Sequence, residues 1–302
     1  MKKKKILILG SQGFLGSHLV QHFLHLGCQV TGCDLTEAGK TDFEYYKISL
    51  LSTDVEDLFG GNTYDVCINA AGSGNVSYSL SHPLSDFEAN ALSVIHILEA
   101  IRKFNGSCRY LHISSAAVYG NPATLPVMET HPCQPISPYG YHKHISEMIC
   151  REYHTVYGIQ VAVIRPFSVY GPGQRKQLLW DMCRKLQASD SITLFGTGKE
   201  SRDFIHIQDV ARLMQCIIEA DAFAGNVFNA ASGTETTIQQ IADWFTSCYE
   251  GNKKIRFSGE VRPGDPLNWC SDISRIRSVG YAPSVLLKDG IEQYIRWFAE
   301  HA

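Results

Sequence analysis

Three glycines, Gly10, Gly13 and Gly16, constrain this chain most, because they link an apolar run at residues 6–9 to a segment at 17–26 whose apolar residues recur at helical spacing. In a strand, turn and helix of this kind the first glycine allows the tight turn. The second lets backbone approach a pyrophosphate, and the third lets the helix pack closely on the sheet. Phe14 and Leu15 complete the turn, and the helix N-terminus that follows faces the pyrophosphate charge. The next strand, residues 29–33, ends in Asp34. A carboxylate there accepts the hydrogen bonds of an adenosine ribose and repels a 2′-phosphate, so the pattern predicts NAD as cofactor rather than NADP.

The 302 residues are 44% hydrophobic and 19% charged, enough apolar content for a large core. Net charge is -3, with the 27 Lys and Arg residues spread through the chain. That is a poor footprint for nucleic acid or an anionic membrane, so neither is expected as a partner. The only basic run, residues 2–5, meets the glycine turn after four apolar residues, too soon for a signal peptide or a membrane span. Ten cysteines without close pairing read as reduced structural thiols. No Cys/His group has metal-ligand spacing, so no metal is expected. A soluble, cytoplasmic protein is the expectation.

Further strands are predicted at 65–69, 110–114 and 161–165, and helices at 86–103 and 141–157. Strands alternating with helices of this length argue for an α/β fold, a doubly wound and mostly parallel Rossmann sheet. Residues 1–165 are assigned to this NAD-binding unit. After about residue 166, Gly171-Pro172-Gly173, Gly196-Thr197-Gly198 and Pro263-Gly264-Asp265-Pro266 punctuate shorter elements, with helices at 178–186, 210–219 and 238–248. Residues 166–302 are therefore read mainly as a smaller substrate-binding portion. Segments 203–207 and 227–229 are candidate strands returning to the first sheet.

Candidate chemistry gathers at predicted strand ends. Ala70 and Ala71 follow the strand at 65–69 and leave room for cofactor, and Asn90 is placed to tie down their loop. Tyr139 and Lys143, four apart, share one helical face. A lysine cation beside a phenol stabilises phenolate, drawing its pKa down from about 10 toward the range useful for proton transfer. Lys143 is also placed to hold the nicotinamide ribose. The segment Ser114-Ser115-Ala116-Ala117-Val118-Tyr119-Gly120 supplies a hydroxyl at the end of the strand at 110–114. His112 and His206 read as structural histidines.

With these segments stand Arg165-Pro166-Phe167-Ser168-Val169-Tyr170-Gly171-Pro172-Gly173, Arg202-Asp203-Phe204-Ile205 and Arg262-Pro263-Gly264-Asp265. From about Lys5 to Trp297 the chain resembles the extended short-chain dehydrogenase/reductases, specifically the nucleotide-sugar epimerase/dehydratase group. The resemblance implies that Ser115 hydrogen-bonds the reacting sugar oxygen, Tyr139 is the acid/base, and Lys143 positions the ribose. It assigns Arg202 and Arg262 to the phosphates of a nucleoside-diphosphate sugar, with Arg175 adding positive charge nearby. Ser73 and Asn75 become candidates for the hexose, and Asp203 is expected to order the Arg202 turn. A homodimer is implied, packed through the helices at 86–103 and 141–157.

Departures from the family narrow the reaction. The 4,6-dehydratases carry an aspartate and a glutamate after the active-site hydroxyl, where this chain has Ala116 and Ala117. Ala117 also stands where the 3,5-epimerase/reductases carry a cysteine, and Ser168 replaces the usual asparagine near the substrate phosphates. The expectation is an NAD-dependent epimerase acting at C4 through a 4-keto sugar. The alternative is a 4-keto-6-deoxysugar reductase using exchanging NAD(P)H and the same three residues.

Overall fold

A computed structural model describes residues 3–52, 54–249, 253–260 and 267–301. Its centre is a sheet of seven parallel strands: β1 (Lys5–Leu9), β2 (Gln29–Asp34), β3 (Glu44–Lys47), β4 (Val66–Asn69), β5 (Arg109–Ile113), β6 (Val161–Pro166) and a returning strand, Ala224–Ala230. From one edge the order is β3, β2, β1, β4, β5, β6 and then the returning strand, which pairs with β6. The order reverses between β1 and β4, and such a switch point opens a crevice at the carboxyl ends of the strands, where α/β sheets bind ligands.

The inner strands read as continuous apolar runs because helices cover both faces. Side chains alternate along β1, so Ile6 and Ile8 pack on one face with Leu19, Phe23, Met214 and Ile217, while Leu7 and Leu9 pack on the other with Val94, Leu98 and Ile101. Each such fully buried Leu or Ile contributes about 1.5–3 kcal/mol. Helix α1 (Phe14–His25) lies on the first face. Helix Ile207–Glu219 comes back from the second half of the chain to pack beside it, tied by His22 to Gln215 at 3.0 Å.

Expectation and structure part at several elements. The segment at 227–229 does return to the first sheet, within Ala224–Ala230. The segment at 203–207 does not: Ser201–His206 lies in a separate sheet, parallel to Ser168–Tyr170 and antiparallel to Glu235–Thr237. The helix predicted at 86–103 is three pieces, Pro83–Phe87, a π turn at Glu88–Leu92 and Ser93–Phe104. The helix predicted from 141 starts at Pro138, because Ser137 caps it by accepting from Gly140 N and Pro138 sits where no amide donor is needed. It ends at Gly158, in the left-handed region at φ 73°.

A third core, with Leu179, Met182, Phe245, Ile291 and Tyr294, holds the smaller portion together, and Trp180, Trp244 and Trp297 pack half-buried on it. None of the ten cysteines is in a disulfide. Among the described residues no helix is long and apolar enough to cross a membrane.

Candidate active site

The glycine turn is built as a cradle. Gly10, at φ 76°, donates from its amide to the Cys33 carbonyl at 2.8 Å. A Cβ at position 16 would lie 2.0 Å from the Gly10 carbonyl oxygen, and one at position 10 would lie 2.7 Å from the Ala71 amide nitrogen. Only hydrogen side chains allow the turn, α1 and the loop after β4 to close this tightly. Gly13 donates to the Gly10 carbonyl at 3.0 Å, and Phe14 and Leu15 form the half-buried first turn of α1. Asp34 sits half-buried at the end of β2, where its carboxylate accepts from the amides of Gln12 (2.9 Å) and Leu35 (2.7 Å). It is thereby fixed beside the turn.

The loop after β4 is held from beneath. Buried Asn69 donates to the Tyr110 hydroxyl at 2.8 Å and accepts from Ala71 N at 3.1 Å, leaving Ala70 and Ala71 half-buried. Asn90, in the π turn, accepts from Ser73 N at 3.2 Å, so it ties down the loop as its position suggested. π turns inside helices are frequent at functional sites. The Asn90 amide nitrogen is buried without a hydrogen-bond partner among the described residues. A cradle that admits no Cβ, a carboxylate at the end of β2 and this buried donor together fit a dinucleotide.

Ser115, Tyr139 and Lys143 converge at the end of β5. Ser115 caps a 3₁₀ turn, Ala116–Tyr119, by accepting from Ala117 N at 3.1 Å. Tyr139 lies in the first turn of the helix Pro138–Tyr157, and its amide donates to the buried Ser79 hydroxyl at 3.1 Å. Burial pushes the Tyr139 phenol up to about 12, a hydrogen bond with Ser115 lowers it, and the Asp86 carboxylate raises it. The depression expected from Lys143 does not appear: desolvation sets the shift, and the one group that lowers the phenol is Ser115. Burial likewise pushes the Lys143 ammonium down to about 8, opposed by the negative field of Asp86, and the ammonium donates to the Ile113 carbonyl at 2.9 Å.

Two buried polar networks hold these groups in place. His112 meets the Tyr110 hydroxyl at 3.3 Å and the Ser146 hydroxyl at 2.8 Å, and Ser146 donates to the Lys143 carbonyl at 2.7 Å. This chain links the Asn69 loop to the turn that carries Lys143, and burial holds His112 neutral, a structural histidine as expected. Arg165 makes a forked pair with Glu147 (2.9 and 2.6 Å) and donates to the Tyr119 hydroxyl at 2.7 Å. Glu147 also accepts from the Ser114 hydroxyl. Cys133, His144 and Glu147 point ligand atoms toward one another, but the Arg165 guanidinium already bonds Glu147 and stands 3.5 Å from Cys133 Sγ. A fixed cation thus already engages two of the three groups.

The residues expected around the sugar and phosphates are less convergent. Ser73 is half-buried in the Asn90-anchored loop. The Asn75 side chain caps the helix Val76–Ser81 by accepting from Tyr78 N. Ser168 starts the strand beside Phe204. Arg202 stacks over Trp269 at 5.8 Å and donates to the carbonyls of Ser201 and Leu267. Arg175 is turned away from its expected role: its guanidinium lies 5.9 Å from the Trp180 ring and 5.8 Å from the Trp297 ring and donates to the His301 carbonyl, packing the C-terminal helix Leu287–His301. Arg262 lies outside the described residues. Asp203 does not order the Arg202 turn; it accepts from Ser232 N and Oγ, Gly233 N and Ser271 N, joining three segments. Burial holds His206 neutral, down to about 4, with Nδ1 accepting from Gln208 N.

The sequence reading missed Asp86 and His142, which pair at 2.7 Å beside Tyr139 and Lys143. The signal was a histidine three residues after Tyr139, on the same helical face.

A parallel sheet reversed at β1 and β4, a glycine cradle and a Ser/Tyr/Lys group at the strand ends define a dinucleotide-dependent enzyme. Residues 6–231 match the model of the NAD dependent epimerase/dehydratase family, and the chain belongs to that family, whose members act on nucleotide sugars. NAD is its cofactor. A UDP-glucose 4-epimerase of Mycolicibacterium smegmatis is 28% identical over 97% of this chain and 98% of its own length. A dTDP-glucose 4,6-dehydratase of Streptomyces niveus is 27% identical over 98% of this chain and 93% of its own. The crystal structure of a UDP-glucuronic acid 4-epimerase from Bacillus cereus, in complex with UDP-glucuronic acid and NAD, is 27% identical and superposes with a TM-score of 0.91, covering 99% of this chain and 100% of that one.

Proposed function

We propose that the protein is a 4-epimerase of a nucleoside-diphosphate sugar, working through a transient 4-keto sugar. The observation that carries this reading is the 3₁₀ turn at Ser115. Its hydroxyl meets Tyr139, while the next two positions, where the dehydratases carry acids by resemblance, are the methyl groups of Ala116 and Ala117. Methyl groups transfer no proton, so the site has an acid/base for one hydroxyl and none for eliminating water.

In this mechanism Ser115 orients the C4 oxygen and Tyr139 carries its proton. At neutral pH the buried phenol is the acid of the cycle and returns a proton to the ketone oxygen. The forward step needs the phenolate, which the Ser115 hydrogen bond favours. When bound, NAD supplies the hydride acceptor and a positive ring charge that favours the same phenolate. Lys143 holds the ribose from the next helical turn. Arg202 is the described arginine assigned to the diphosphate, and Ser73 and Asn75 border the sugar.

The reading includes a homodimer through the helices Ser93–Phe104 and Pro138–Tyr157, supported by exposed Ile95, Met148, Val156 and Tyr157 on them. Ten cysteines outside any disulfide support a reducing, cytoplasmic setting. The test is mass spectrometry of small molecules released from the freshly purified protein, followed by incubation with UDP-, GDP-, CDP- and dTDP-sugars without added coenzyme. Retained NAD and conversion to an isomer of equal mass are expected. An empty site, with turnover of a keto sugar only on adding reduced coenzyme, would move the assignment to the reductase.

A further inference from the structure

Asp86 is fully buried in the short helix Pro83–Phe87, yet only one of its oxygens is bonded: Oδ2 meets His142 Nδ1 at 2.7 Å, and Oδ1 has no hydrogen-bond partner among the described residues. The His142 ring is itself nearly buried, edge-on to Phe87 at 5.4 Å. On the helix Pro138–Tyr157, His142 and Lys143 stand three and four residues after Tyr139, so all three share a face above Asp86. A half-bonded carboxylate in the interior is costly, and packing alone gives no reason to keep one.

We propose that Asp86 and His142 form a buried positioning pair that serves as the counter-charge of the Tyr139–Lys143 couple. The proposal rests on the acid/base role given to that couple above. The groups facing Lys143 are few. Glu147 and Cys150 lie on its own helix, and Glu147 is already neutralised by the forked Arg165 pair. β5 presents the Ile113 carbonyl and a neutral His112, and the 3₁₀ turn presents the Ser115 hydroxyl. Asp86 is therefore the main negative charge available to hold a buried lysine in its ammonium form. The same field opposes ionisation of Tyr139. His142 bonds the carboxylate and fixes where that field originates.

The experiment is a pH titration of the purified protein labelled with 13Cε-lysine, followed by NMR, with the Lys143 resonance identified by its loss in Lys143→Met. In Asp86→Asn the Lys143 midpoint is expected to fall by about one pH unit, a roughly tenfold weaker hold on its proton. A midpoint unchanged from the wild type in a folded variant would overturn the proposal, since a merely structural role would not move it. Should Asp86→Asn fail to fold, the double variant Asp86→Asn/His142→Gln, which leaves no unpaired buried charge, gives the same reading. Turnover of Tyr139→Phe separates the two levels. Full turnover there removes the acid/base reading itself, whereas lost turnover with an unmoved Lys143 midpoint removes only the counter-charge.

Discussion

At the residue scale, burial does the opposite to Tyr139 and Lys143. It holds the phenol neutral, up to about 12, and makes the ammonium easier to deprotonate, down to about 8, so the site keeps one group protonated and another poised to lose its proton. Tyr139→Phe keeps the ring and removes the acid, and turnover is expected to fall about 10²- to 10⁴-fold while NAD stays bound. Kinetics alongside cofactor release checks both halves. Lys143 has a folded pKa below its unfolded value, so it opposes folding below pH 8, and the penalty fades as pH rises from about 8 through 10.5. Lys143→Met is accordingly expected to raise the thermal midpoint of the cofactor-free protein at pH 7 and to narrow the gap from wild type toward pH 10. Scanning calorimetry across that range reads it.

Ser115, Tyr139 and Lys143 were legible because spacing and strand-end placement are local properties of a sequence. Arg175 was not. Its position beside a glycine-rich loop suggested charge for a ligand, but Trp180, in the helix that follows directly, and Trp297, from the C-terminal helix, claim the guanidinium. Asp86 was invisible for a related reason: an aspartate near the start of a helix ordinarily faces water, and only tertiary packing buries it under the helix Pro138–Tyr157.

Among the elements, closeness of approach decides most. At Gly16 a Cβ would meet backbone at 2.0 Å, and backbone cannot swing aside as a flexible side chain does. Gly16→Ala is expected to push α1 off the glycine turn and abolish NAD retention, seen as cofactor-free protein by mass spectrometry with a lowered thermal midpoint. Ser137→Ala removes the cap of the helix Pro138–Tyr157, at a cost of about 1 kcal/mol. Because Tyr139 sits two residues on, turnover is expected to fall more than stability does. Equal small losses in both would place the cap outside the site's geometry.

The long central elements were readable from period and punctuation. The short ones were not: Glu44–Lys47 is a half-exposed edge strand of polar and aromatic residues, and the π turn at Glu88–Leu92 interrupts an apolar pattern that otherwise reads as one helix. Residues 203–207 read as a candidate strand returning to the first sheet, but Ser201–His206 is buried in the small mixed sheet instead.

Over the whole molecule, the chain crosses between its two portions, returning at Ile207–Glu219 and Ala224–Ala230 to complete the large sheet before rebuilding the smaller portion. This weaving aligns the strand ends that carry Ser115 with the segments of the substrate side. The proposed homodimer belongs to this scale. Met148→Glu places a charge on the exposed face of the helix Pro138–Tyr157 and is expected to shift the mass in sedimentation from two chains to one.

The central claim is that one sugar carbon loses and regains a hydride within a single bound cycle. The most direct test supplies UDP-sugars deuterated at C4 to the protein without added coenzyme and follows the products by NMR and mass spectrometry. The account predicts a C4 epimer of unchanged mass with deuterium retained at C4. Loss of water from the sugar, or a product formed only at the expense of added NADH, would contradict it.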